Sequence, residues 1–108
     1  MLEPFTRQLL LEAGIAPGMR VLDVGSGIGD TAFLAAELVG RSGEVLGTDR
    51  APAPLKLAEQ RAAERSLSNV SFQQGDPAEL TFDRAFDAVI GTRRRRSRRS
   101  LPTALGYA

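Results

Sequence analysis

The sequence predicts an α/β fold, in which strands and helices alternate along one short domain. Three observations predict it. Short apolar runs end in glycine or an acid, helix-spaced apolar stretches lie between them, and glycine or proline marks most junctions. Such alternation implies parallel strands joined by right-handed helical crossovers. A chain of 108 residues with 43% hydrophobic content has one domain's length and enough apolar material for a core. A domain this short buries a modest share of its surface, which leaves its stability marginal.

The elements follow in order. Leu2, Phe5, Leu9, Leu10 and Ala13 recur at spacings that suit one helical face, so residues 2–13 are expected to be a helix. Gly14 can end it, and Pro17-Gly18 is turn punctuation. Residues 20–24, Arg-Val-Leu-Asp-Val, read as a buried strand closed by Gly25. Asp30 to Val39 is apolar over most of its length, as expected of a helix packed on a sheet, and the stretch from Gly40 to Gly43 stops it. Residues 44–49 form the second strand candidate. Pro52 and Pro54 suit the first turn of a helix, which runs to about Ser66. Ser68-Asn69 is a turn, and residues 70–73 and 86–90 are the third and fourth strands.

Composition narrows the chemistry. There is no cysteine and no histidine, which removes disulfides, thiolate sites and the commonest general base and metal ligand. No metal centre is expected. No apolar run approaches the ~18 residues of a membrane span, and no secretory leader pattern is visible. The expectation is a soluble, cytoplasmic protein. Charge is unevenly spread: residues 1–90 hold all 13 acidic groups and 8 of the 14 basic ones, whereas residues 91–108 hold six arginines and no acid. Segments so opposed in composition are read separately.

The chemistry-bearing residues cluster after strands. Asp23-Val24-Gly25-Ser26-Gly27-Ile28-Gly29 joins the first strand to the next helix. Glycines there let the backbone turn sharply and approach a ligand, and the following helix turns its free amides to the crevice at the strand ends. A tight turn is the plainer reading. A dinucleotide fingerprint would need its third glycine at position 30, where this chain has Asp30, and Asp23 would repel a pyrophosphate but favour a cation. Asp49 closes the second strand, 24 residues after Gly25. It could accept both hydroxyls of a ribose, or it could cap the helix that begins near Pro52. Asp76, in Gln74-Gly75-Asp76-Pro77, could accept an adenine amino group, or it could simply shape a turn before proline.

These residues resemble a known family. Val21 to Asp30 is similar to motif I of class I S-adenosylmethionine-dependent methyltransferases. Residues 44–49 resemble that family's second strand with its ribose-binding acid, residues 70–76 its third strand with an adenine-contacting acid, and residues 86–91 its fourth strand. Ile15 to Arg20 resembles the family's lead-in. Four motifs stand in the right order over residues 3–91, and the finer likeness is to small-molecule methyltransferases of the ubiquinone-biosynthesis type.

The resemblance implies a Rossmann-like parallel sheet with flanking helices, the N-terminal half of the methyltransferase fold, with S-adenosyl-L-methionine as cofactor. It implies a cofactor-binding set of Asp23, Gly25, Ser26, Gly27, Gly29, Asp49, Arg50, Asp76 and Pro77. The three glycines and Asp23 would serve the methionine end, Asp49 the ribose, and Asp76 with Pro77 the adenine. It further implies methyl transfer to a small-molecule acceptor, with no catalytic residue identified. In-line displacement on an activated carbon draws much of its rate from positioning, so the missing histidine is no objection.

The chain departs from the pattern after Gly91. The family's sheet has seven strands and this chain supplies four, so residues 1–91 are expected to be a partial domain, inactive if truncated there. Residues 92–108 have neither strand alternation nor helical periodicity. They are read as a frame-shifted segment of GC-rich coding sequence, as a solvated disordered tail, or as a nucleic-acid arm. The fourth strand would then form an exposed apolar edge that invites self-association. The alternative function is a nucleotide- or nucleic-acid-binding module with a basic tail.

Overall fold

A computed structural model describes residues 3–91. Its strands are β1 (Arg20–Val24), β2 (Glu44–Asp49), β3 (Val70–Gln74) and β4 (Ala88–Gly91), and its helices are α1 (Glu3–Glu12), α2 (Asp30–Val39) and α3 (Pro52–Glu64). The strands make one parallel sheet in the order β3-β2-β1-β4. This is the expected α/β arrangement. Strand order runs outward from β1 to β3 and then reverses to β4, which places a crevice at the carboxyl ends near β1, where ligands bind in such sheets.

β1 is central, paired with β2 on one side and β4 on the other. A strand buried on both faces must be apolar throughout, and Val21 and Leu22 are indeed inaccessible to solvent. Strand alternation then sorts residues between two faces. Val21, Val45 and Ala88 face a core completed by Leu10, Ile15 and the α2 residues Ala32, Leu34, Ala35, Ala36 and Val39, with Phe72 and Ile90 packed at its border. Small alanines let α2 lie close to the sheet, and each large side chain removed from water contributes about 1.5–3 kcal/mol. The second face carries Leu22 and Phe86, bordered by Val24, Leu46, Phe82 and Val89.

Helix boundaries follow local chemistry. α2 starts at Gly29 in a left-handed conformation and stops at Gly40. α3 begins with Pro52 in its first turn, where a missing N–H costs nothing, and ends two residues before the expected Ser66. Gly47 in β2 has no side chain because the Phe72 ring fills the space, 2.7 Å from where a Cβ would stand.

The first helix forms where expected, and the fourth strand needs a correction. The apolar face of the first helix is only thinly buried: Leu10 is in the core, but Phe5 and Leu9 are exposed. α1 docks chiefly on α2, partly through an Arg7–Glu37 ion pair at 2.7 Å, and one helix neighbour covers only a narrow stripe. The fourth strand starts at Ala88 rather than 86, because Phe86 turns into the second core and stacks edge-on to Phe82 at 5.1 Å. Asp87 closes the start of the strand, its N–H donating to Arg20 O at 2.7 Å and its Oδ2 accepting from Arg20 N at 2.8 Å. The readings of the arginine-rich segment fall outside the described residues.

Candidate functional site

Gly25, Gly27 and Gly29 all have positive φ, at 72°, 56° and 97°, a region costly for other residues. The N–H groups of Gly25 and Ser26 both donate to Thr48 O at 2.8 Å, which ties the loop to the end of β2. Gly29 caps α2, and a Cβ there would stand 2.9 Å from the Phe33 ring. At Gly27, by contrast, a Cβ would meet nothing within 4 Å. The loop is therefore packed on one side and open on the other. That is the shape of a cradle.

Asp49 sits at the cradle's edge. Its Oδ2 accepts the Gly27 N–H at 2.9 Å and its Oδ1 accepts the Ala51 N–H at 3.1 Å. The helix-cap reading does not hold, because Ala51 is the cap residue of α3 and no side chain caps it. An ionised carboxylate offers about four acceptor sites. Two backbone amides fix its orientation and leave capacity for two more donors, the number a ribose presents.

Asp23 is the electrostatic anomaly. It is wholly buried in β1, and neither carboxyl oxygen has a hydrogen-bond partner. Burial, and secondly the charge of Asp49, push its pKa up to about 8. A buried carboxylate without partners is too costly to keep, so near neutrality the group holds its proton. An arriving cation would reverse that preference. Ser26 Oγ and Thr48 Oγ1 are also buried without partners, and Ser26 Oγ lies 2.8 Å from where a Gly47 Cβ would stand.

Across the crevice, Asp76 follows β3. Its Oδ1 accepts the Ala78 N–H at 2.9 Å, the turn geometry foreseen for an aspartate before proline, and Pro77 is buried. Its Oδ2 accepts from Arg50 at 2.6 Å. Gln74 Nε2 donates to Arg50 O at 3.0 Å, and Gly75 N to Asp49 O at 2.9 Å. The ends of β1, β2 and β3 thus bring all nine sequence-predicted residues to one edge of the sheet. Among the described residues no group of three or more potential ligands could hold a metal ion, and no helix is long and apolar enough to cross a membrane.

The family described as "Methyltransferase domain" matches residues 15–94. The chain belongs to this methyltransferase family. The 2-phytyl-1,4-naphtoquinone methyltransferase of Synechococcus elongatus is 43% identical over 91 residues, covering 82% of this chain and 39% of the relative. The demethylmenaquinone methyltransferase of Geobacillus kaustophilus is 42% identical over 76 residues, covering 69% of this chain and 32% of the relative. Among solved structures, a SAM-dependent methyltransferase from Aquifex aeolicus superposes with a TM-score of 0.74 at 26% identity, over 80% of this chain and 46% of that one. The chain therefore spans about two fifths of the length of the first of these relatives.

Sequence reasoning about this methyltransferase domain missed two participants. Thr48 anchors the loop through its carbonyl, and a backbone acceptor has no sequence signal. Gly47 has one: a glycine inside an apolar strand marks a close approach, here of Phe72 and Ser26.

Proposed function

We propose that the chain binds S-adenosyl-L-methionine at the carboxyl edge of its sheet, as part of an enzyme that methylates a small molecule. Residues 1–91 form the binding unit. Gly25, Ser26, Gly27 and Gly29 cradle the methionine end beside Asp23, Asp49 takes the ribose, and Asp76 with Arg50 and Pro77 borders the adenine. When bound, the sulfonium supplies an already activated methyl group. The chain's own residues hold and orient the nucleoside, and no side chain of the site is assigned as a general base.

The observation that carries this reading is Asp49. Two backbone amides orient a carboxylate that still has room for two donors, beside a loop that is open at Gly27. Asp23 supports the same ligand, because a buried acid without a partner would gain one in a cationic group, which favours its ionised form. The quinone methyltransferases among the relatives support a small-molecule acceptor.

Titration calorimetry of the 108-residue chain with S-adenosylhomocysteine and with NAD tests the reading. Preferential binding of S-adenosylhomocysteine is expected. Equal or tighter binding of NAD would overturn it.

A further inference from the structure

We propose that Arg61 of α3 is a positioning residue for the cofactor loop, holding it at the residue next to the one that Asp49 holds. The inference rests on the cofactor reading above. Arg61 Nη1 donates to Ile28 O at 2.8 Å and Nη2 donates to Asp30 Oδ1 at 2.9 Å. Its guanidinium lies 5.1 Å from the centre of the Phe33 ring, which Arg65 also approaches at 4.8 Å. One side chain thus reaches the loop, the first residue of α2 and the ring beneath Gly29.

Loop composition explains why such a hold is needed. Gly27 and Gly29 flank Ile28, and glycine loses more conformational freedom on ordering than any other residue. Ile28 is 41% exposed, so burial of its side chain does little to fix the apex. Two contacts pin consecutive residues instead: Asp49 takes the Gly27 N–H, and Arg61 takes the Ile28 carbonyl. The Arg61–Asp30 ion pair contributes little alone, because Asp30 is 70% exposed. The carbonyl bond and the ring contact are better placed, since Arg61 itself is only 24% exposed. Arg61 also sits in the last turn of α3, where a cation favours the helix dipole.

The hold acts at the methionine end of the cradle, whereas the adenine end is built by Asp76 and Arg50 from other segments. Loss of Arg61 should therefore weaken ligands that carry the amino-acid moiety and spare those that lack it. A general loosening of the fold would weaken both alike.

The test compares S-adenosylhomocysteine with 5′-methylthioadenosine, which keeps the nucleoside and lacks the amino-acid part, on wild type, Arg61→Ala and Arg61→Lys. In Arg61→Ala, affinity for S-adenosylhomocysteine should fall roughly tenfold, the order expected when a charge-assisted hydrogen bond is removed. Affinity for 5′-methylthioadenosine should stay within about twofold of wild type. Arg61→Lys keeps the charge but loses the planar fork that reaches Ile28 O and Asp30 Oδ1 from two nitrogens, so it should fall in between. If Arg61→Ala does not fold, the same split in Arg61→Lys supports the proposal and its absence overturns it. Equal losses for both ligands, or no loss for either, also overturn it while leaving the cofactor reading intact. A wild-type chain that binds neither ligand overturns the cofactor reading and the inference with it.

Discussion

Asp49 and Asp23 are both strand carboxylates on the same face of the sheet, yet one is held by backbone amides and the other is buried without a partner. Asp49 accepts two backbone N–H groups, which fix its orientation. Asp49→Ala should weaken S-adenosylhomocysteine binding by about 1–3 kcal/mol, the usual cost of leaving polar partners unpaired, and calorimetry would show it. Unchanged affinity would remove Asp49 from the site. Asp23 holds its proton up to about pH 8 in the folded chain but only to its ordinary value of 3.8 when unfolded. Between those values the native state binds more protons than the unfolded one, so this group lowers stability as pH rises, by at most about 1.4 kcal/mol per pH unit. Asp23→Asn removes the titration. Denaturant melts from pH 4 to pH 8 should show the variant gaining steadily on wild type, and a constant difference would sink the idea. Both acids stood out in the sequence, Asp23 just before the glycine loop and Asp49 at a strand end. What the sequence left open was Asp49's bond to Gly27, because a contact across 22 residues depends on the sheet register.

The strand–loop–helix unit from β1 to α2 was legible almost residue for residue. Its apolar run, glycines and helical spacing are local signals that the tertiary structure reinforces. α1 and the start of β4 were less so, because the exposure of Phe5 and the inward turn of Phe86 depend on which neighbours are present. The glycine unit also carries a test of its own. At Gly29 any side chain meets a φ of 97° and a Cβ position 2.9 Å from Phe33, which itself packs edge-on against Phe72. Gly29→Ala should cost roughly 1–3 kcal/mol from backbone strain and displaced rings. Gly27→Ala meets its φ of 56° without a clash and should cost less. Thermal melts of the two variants would rank them, and an equal or reversed order would refute the packing argument.

At the scale of the molecule, the parallel sheet agrees with what alternation and the family resemblance implied, and its two faces differ in cover among the described residues. The face that includes Val21 and Val45 is closed by α1 and α2. α3 stands beside α2, since Arg61 and Arg65 reach the Phe33 ring. In the other cluster Leu22 and Phe86 are buried, Val24, Leu46, Phe82 and Val89 are only half-buried, and no helix residue joins them among the described residues. The cause is topological. Right-handed crossovers that step in one direction put successive helices on the same face, and the direction reverses only on the way to β4. An apolar sheet face with such thin cover favours burial against a second copy, and β4 is an edge strand of the sheet among the described residues. The chain is therefore expected to self-associate reversibly, with a sedimentation coefficient that rises with concentration. Leu46→Glu puts a charge in the middle of that face and should shift the equilibrium toward monomer. Leu9→Glu, on the exposed side of α1, should leave it unchanged. A single monomeric species at every concentration would show that the half-buried side chains of this face are cover enough.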